Sequence, residues 1–356
     1  MLRFDIGNGL ARVPAQDSAE APRPPPASFA GWLTRTCGSA VALRPPICDS
    51  GARIHACGVT DVRRPIRTAA TLALLALAVT RPAVTFADGQ DVLWAVKGRQ
   101  NTVYLLGSIH VLRAQDAALP PAAEQAFDDA ERVVMEIDLD DAAADPLAMA
   151  TEMQKAAALP DGQTLRESMG ADYPRVADEL KASGLDPEVL DGYAPWFVAL
   201  TLLDLQLAAR GYSPQFGIEQ TLAARAIAMH KPIEGLETAA QQFQMLAGMP
   251  LPMQKRFLVM TLEETDSLDR ELDELLRAWH SGDTVALARL LSSEYDEFPD
   301  LYRRLTVDRN RAWLPRIEQM LGDRDDYIVV VGALHLVGPE SVVDLLRADG
   351  YSVVRE

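Results

Sequence analysis

One pattern occurs twice in this chain of 356 residues and limits how the chain can fold. Tyr104-Leu105-Leu106-Gly107-Ser108-Ile109-His110-Val111-Leu112 and Val330-Val331-Gly332-Ala333-Leu334-His335-Leu336-Val337 are each an apolar strand that runs into Gly-x-x-His and then two apolar residues. Glycine permits a sharp change of backbone direction as a strand ends. The histidine then falls just beyond the strand's C-terminal end, where open α/β sheets gather ligands. The two segments lie more than 200 positions apart and use half of the four histidines that follow residue 87. A shared site at one edge of an α/β sheet accounts for both.

The rest of the pattern after residue 87 agrees with such a sheet. Residues 92–97 and 102–106 read as a hairpin across Gly98-Arg99-Gln100-Asn101. Pro120 and Pro121 open a helix to about Ala130, and Arg132 to Ile137 reads as a buried strand. Residues 145–230 are mostly helical, Lys231 to Leu236 is a short strand, and an acidic helical region spans about 238 to 321. The chain closes with a strand from Tyr327 to Val331, a helix opened by Pro339, and a strand from Tyr351 to Val354. Strands at both ends with helices between them predict an α/β fold, a mixed β-sheet with a large helical insertion, as one domain over 88–356.

Two carboxylates occupy places comparable to the histidines. Glu136 sits near the end of Arg132 to Ile137, on the strand face of Val134. Glu237 follows the strand Lys231 to Leu236 and precedes a helix at Thr238, so it reads either as a cleft acid or as a carboxylate favoured at a helix start. His110, His335 and Glu136 make a two-His-one-carboxylate set suited to a divalent ion of Mn, Co, Zn or Fe. Such an ion would acidify water and polarise a carbonyl, which is hydrolysis chemistry, and Glu237 would accept the proton. The chain has no H-E-x-x-H, G-x-S-x-G or P-loop sequence, and no cysteine after Cys57 to act as nucleophile or thiolate ligand. Glu219 reads as an acid in a helix's first turn that lines the cleft at most, and His230 and His280 read as structural or surface residues.

Charge divides the chain. Residues 1–87 carry 10 Arg, no Lys and 5 acids, leaving 24 of the chain's 34 basic and 46 of its 51 acidic residues to 88–356. That acidity is a poor match to a phosphate backbone, and aromatics at 6% offer little to stack on single strands, so no nucleic-acid partner is expected. Residues 1–62 show no sustained apolar periodicity and read as unstructured or as an over-extended start. Arg63, Arg64 and Arg67, the apolar run Thr68 to Val79 and the small-residue end at Thr85-Phe86-Ala87 have the three parts of a signal peptide over 63–87. The expectation is a periplasmic or secreted protein that meets a membrane only if that segment stays uncleaved.

The two Gly-x-x-His segments, the strand ending in Glu136, Gly235-Leu236-Glu237-Thr238 with Gln242, and Asp308-Arg309-Asn310 together resemble the TraB/GumN family, which is related to the Tiki metalloproteases. The closing stretch VVVGALHLVGPESVVDLLRADGYSV carries the resemblance most specifically. It implies a ChaN/Tiki-like fold, shared with the erythromycin-esterase group, and a site of both Gly-x-x-His motifs plus Glu, with Arg and Asn nearby. Those roles fall on His110, His335, Glu136, Arg309 and Asn310. An Arg there binds a substrate carboxylate or stabilises an oxyanion, and an Asn orients a ligand. Tiki relatives are divalent-metal peptidases, whereas the TraB and GumN branches are tied to pheromone shutdown and exopolysaccharide gene clusters. The resulting expectation is an exported metal-dependent hydrolase acting on a peptide or small molecule. Two alternatives stay open: a non-catalytic binder of a peptide or small ligand, and haem or iron handling as in ChaN relatives.

Overall fold

A computed structural model describes residues 91–138, 146–263, 265, 267–295 and 299–356. The expected signal segment and the residues before it lie outside the described residues. Six strands form one mixed sheet: β1 (Leu93–Lys97), β2 (Thr102–Ser108), β3 (Arg132–Ile137), β4 (Ile233–Glu237), β5 (Tyr327–Gly332) and β6 (Val353–Arg355). Their order is β4-β3-β5-β2-β1-β6. β4, β3, β5 and β2 run parallel, while β1 pairs antiparallel with β2 and with β6. The four parallel strands therefore end at one edge, and that edge carries Ser108, Glu136, Glu237 and Gly332.

Sequence explains the order of the strands. β5 is apolar and buried at every position, as suits a central strand covered on both faces. β4, with Glu234 and Gly235 inside it, has no fully buried residue and lies at the edge of the sheet. The short β1–β2 hairpin fixes the antiparallel corner. Parallel neighbours instead need long crossovers, and helices supply them.

The helices between β2 and β4 are α1 (Pro121–Asp129), α2 (Pro146–Ala157), α3 (Leu165–Met169), α4 (Tyr173–Ala182), α5 (Pro195–Ala209) and α6 (Ile218–Ala228). Between β4 and β5 come α7 (Ala239–Ala247), α8 (Leu251–Glu263), α9 (Leu268–His280), α10 (Thr284–Tyr295), a one-turn helix Pro299–Tyr302, a π-helical turn Arg303–Val307, and α11 (Asp308–Leu321). Proline occupies the first turn of α1 and α5, where its missing N–H costs nothing. Thr238 caps α7 with a reciprocal box: its Oγ1 accepts from the Gln241 N–H, and Gln241 Oε1 accepts from the Thr238 N–H (2.7 Å). The cap is thus Thr238, and Glu237 remains the last residue of β4.

Two apolar cores result. One packs α1, α6, α9 and α11 on the sheet. The other contains no strand residue and joins α3, α4, α5 and α8, with α5 at its centre. The first turns of α5 are apolar all round, since Trp196, Phe197, Val198 and Ala199 are buried in succession. Among the described residues no helix is long and apolar enough to cross a membrane. The closing helix, α12 (Val342–Ala348), starts later than Pro339 predicts. Gly338 and Glu340 both take positive φ (77° and 57°), which is incompatible with a right-handed helix, and Ser341 is the cap instead.

Candidate active site

The two Gly-x-x-His motifs meet at the C-terminal edge of neighbouring strands β2 and β5. Neither Gly107 nor Gly332 takes a positive φ, so the glycines are not there to turn the chain. Gly332 is needed for close approach: a Cβ on it would stand 3.0 Å from His110 Nε2 and 3.4 Å from Glu136 Oε1. Its own N–H donates to Glu136 Oε1 (2.9 Å). The second motif's glycine thereby makes room for the first motif's histidine.

His335 lies in a single 3-10 turn after β5 and is buried. Asn310, from the first turn of α11, is fully buried beside it. The Asn310 amide donates to the Glu340 carbonyl (2.9 Å), which turns its Oδ1 toward the ring, 2.6 Å from His335 Nδ1. Nδ1 is therefore the protonated nitrogen, and Nε2 keeps its lone pair for the site. Arg309 Nη1 donates to that Nε2 (3.1 Å). Trp313, one turn after Arg309 on α11, places its ring 4.6 Å from the imidazole and 4.7 Å from the guanidinium. Burial, helped by the Arg309 and His110 charges, outweighs the opposing Glu136 carboxylate and holds the imidazole in its uncharged form, down to about 3.

His110 lies at a bend after β2, with 60% of its side-chain surface exposed. Its Nδ1 is 2.7 Å from Glu219 Oε1, which also accepts from the Ser108 hydroxyl. The Glu219 carboxylate pushes the imidazole up to about 9. Gly217, just before α6, permits this: a Cβ there would meet the His110 carbonyl oxygen at 2.1 Å. The Trp279 indole N–H donates to the Gly107 carbonyl (2.7 Å) and ties α9 to the same motif.

Glu136 stands between the two rings. Its Oε1 is 3.8 Å from His110 Nε2 and 3.9 Å from His335 Nε2. Burial alone would raise this carboxyl, but His335, His110, Arg309 and the Gly332 N–H together hold it below the usual carboxylate range. Arg309 bridges both acids: Nη2 binds Glu136 Oε2 and lies 2.5 Å from Glu237 Oε1, and Nε donates to Glu237 Oε1 at 2.9 Å. Gln242 donates to the same Glu237 oxygen (2.8 Å). Burial works against the guanidinium charge, and Glu136 and Glu237 more than offset it.

All six expected residues, His110, Glu136, Glu237, Arg309, Asn310 and His335, thus belong to one cluster. The reading from residue types left Glu219 as a first-turn acid that could line the cleft, and it missed Trp279 and Trp313. Glu219 had one usable signal, the glycine two residues before it. The partner roles also differ from expectation, since Arg309 is paired to both acids and not presented free to a substrate.

The cluster can be tested against a divalent ion. Its donor chemistry fits: two imidazole Nε2 atoms and one carboxylate oxygen face one another, and each imidazole has its Nδ1 held by a second residue, as metal-binding histidines usually have. Its spacing is wider. Ligand atoms about 2.1 Å from a tetrahedral ion lie about 3.4 Å apart, so 3.8 and 3.9 Å call for a contraction of about 0.5 Å. Among the described residues no group of three or more His, Cys, Asp or Glu side chains is drawn close enough to hold an ion as it stands. Arg309 also occupies the lone pair of His335.

Fold and site together define an α/β protein whose parallel strand ends present a His–Glu–His cluster backed by Arg and Asn. The sequence profile of the TraB/PrgY/gumN family matches residues 92–355, and the chain belongs to that family. It is 26% identical over 245 residues to the protein YbaP of Escherichia coli, itself described as uncharacterized, covering 68% of this chain and 87% of that one. It is also 25% identical over 324 residues to the metalloprotease TIKI2 of Xenopus tropicalis, covering 75% of this chain and 60% of that protein. No solved structure matches the chain.

Proposed function

We propose that this protein is an exported, divalent-metal-dependent hydrolase that acts on peptide bonds. The observation that carries the reading is the convergence of His110 Nε2 and His335 Nε2 on one buried carboxylate oxygen, with each ring's Nδ1 already engaged. A core histidine needs no such partner arrangement twice at one strand edge. The distant similarity to TIKI2 supports a metal and a peptide substrate, and the signal-like segment 63–87 supports export.

His110, Glu136 and His335 would hold the ion, which supplies Lewis acidity to polarise a carbonyl and acidify water. The protein's own groups do the remaining work. Asn310 and Glu219 fix the two imidazoles so that both Nε2 atoms face Glu136. Arg309 is held at the cluster by Glu136 and Glu237, and it would donate to an oxyanion by exchanging one of those bonds as charge develops. Among the described residues, every hydrogen bond to Glu237 falls on Oε1, which leaves Oε2 to take a proton from water. Burial of Glu136, Asn310 and His335 keeps bulk water from competing for these bonds.

A second reading, a binding protein without turnover, is favoured by one observation: Arg309 already satisfies the electrostatic demand of Glu136 and Glu237. Metal analysis of the full-length protein decides between them. Stoichiometric Mn, Co, Zn or Fe, a rise in Tm on adding it, and chelator-sensitive cleavage of a diverse peptide library are expected. No metal retained, no gain in Tm and no cleavage with any of the four metals would leave the binding reading.

A further inference from the structure

The two apolar cores do not close on each other. Between them lies a half-open cavity of about 310 Å³ whose wall is mostly leucine, with Phe257, Met260 and the polar Gln206, Thr261 and Glu271. Leu203 and Leu272 reach it from the sheet-side core, and Phe257 and Leu305 from the helical core. Of its polar wall groups, Gln206 donates to Thr265 (2.9 Å) and the Thr261 hydroxyl donates to the Phe257 carbonyl of its own helix (3.1 Å), while the Glu271 carboxylate lies 3.9 Å from Arg270. Apolar walls left facing solvent hold surface that an apolar side chain of a ligand would bury favourably.

The cavity adjoins the candidate site. Leu334, which lines it, is the residue before His335. Leu305, which also lines it, gives its carbonyl to Arg309 Nη1 (3.3 Å), the same nitrogen that touches His335 Nε2. One wall is therefore one residue from a proposed metal ligand and one hydrogen bond from the proposed oxyanion donor. Apolar cavities of about 150 Å³ admit a benzene molecule, so this one has room for a bulky side chain. With leucines predominating and Glu271 the one charged side chain in the wall among the described residues, it selects chiefly by apolar bulk.

We propose that this cavity is the specificity pocket of the site, and that it takes a large aliphatic side chain of a peptide next to the bond presented to His110, Glu136 and His335. This rests on the peptidase reading for the substrate class, and its test does not need turnover. The full-length protein, stripped of metal with chelator, is offered an amidated hexapeptide library in which each position in turn is Gly, Ala, Leu or Phe. Retention should rise at one position by about tenfold or more from Ala to Leu, since each buried methylene is worth about a factor of four. Leu203→Trp, which fills the cavity, should abolish that preference and leave retention of the Ala peptides unchanged. Leu272→Phe provides a second filled variant should the first lose its cooperative thermal transition. A flat selection by the unaltered protein, or an unchanged Leu preference in both filled variants, overturns the pocket. Preference without cleavage after metal loading would keep the pocket and remove the peptidase reading. Cleavage without preference would do the reverse.

Discussion

The two Gly-x-x-His motifs are near copies in sequence and opposites in chemistry. His110 sits with 60% of its side chain exposed, against a carboxylate, and is pushed toward its cationic form. His335 has 9% exposed, lies against a neutral amide and a guanidinium, and is held neutral. Each ring is fixed through Nδ1 by a residue from the first turn of a helix: Glu219 on α6 and Asn310 on α11. A strand-Gly-x-x-His segment thus decides where an imidazole stands, whereas what packs over it decides the charge. The Glu219 carboxylate over His110 and the deeper burial of His335 separate the two states. Without metal at neutral pH the pair holds one proton in excess, on the His110 side.

The strongest test of the shared site removes either ring. His110→Ala and His335→Ala should each abolish stoichiometric metal binding by the full-length protein, measured by elemental analysis after dialysis, because two protein donors are too few for the ion. Full occupancy in His110→Ala would mean the two motifs do not serve one site, and their comparison would lose its basis.

How much of this was legible in the chain depends on distance along it. Both strand-Gly-x-x-His segments are local patterns, and the placing of Glu136 follows from strand alternation alone. Arg309 and Asn310 were legible only through resemblance, because their partners lie on β3, β4 and the turn after β5. Glu219 looked like an ordinary first-turn acid, since nothing near it in sequence shows that His110 waits across the fold. Gly332 was expected to bend the chain and instead makes space, a distinction visible only once His110 is seen over it. Likewise α5 reads as helix, but the all-round burial of its first turns, which builds the second core, depends on helices far from it.

The next effect bears most on the His335 side. Arg309→Ala leaves Glu136 and Glu237 buried without their cation, and removing one partner of a buried pair costs about 3–5 kcal/mol. Urea unfolding of the metal-free variant should show a loss of that order. Turnover of the metal-loaded variant should fall by roughly 10²–10³, about 2.7–4 kcal/mol of transition-state stabilisation. Metal affinity should rise, because the guanidinium both repels a cation and donates to His335 Nε2. Unchanged turnover, or weaker metal binding, would show that Arg309 only props the cluster.

A smaller change separates the two partner residues. Asn310→Ala and Glu219→Gln should each weaken metal binding by about 10–100-fold, the usual cost of losing a residue that orients a metal-binding histidine. Titration with Zn or Mn against a competing chelator measures it. Equal affinity in both variants and the unaltered protein would show that the imidazoles need no orienting, and the contrast between amide and acid would be incidental.

The smallest effect is the most selective, and it is read on the metal-free protein as pH rises. His110 is raised above its ordinary value of 6.5 to about 9, so its pairing with Glu219 stabilises the fold fully below pH 6.5 and is lost as pH climbs through 9. Its exposure screens the pair, so the change should be about 1 kcal/mol or less. The acid side cannot isolate either histidine. His335, lowered to about 3, refuses a proton that the unfolded chain accepts, so stability falls from pH 6.5 toward 3. Glu136, held below its ordinary 4.5, loses its stabilising charge as pH falls through the same region. On the alkaline side only His110 of the cluster titrates. Cysteine thiols and the chain's amino terminus also titrate there, but they are common to the unaltered protein and Glu219→Gln and cancel in the difference. Urea unfolding at pH 6 and pH 9.5 should therefore show a loss of stability in the unaltered protein that exceeds the loss in Glu219→Gln. Equal losses would mean that Glu219 orients His110 without charging it, and the two motifs would then differ in burial alone.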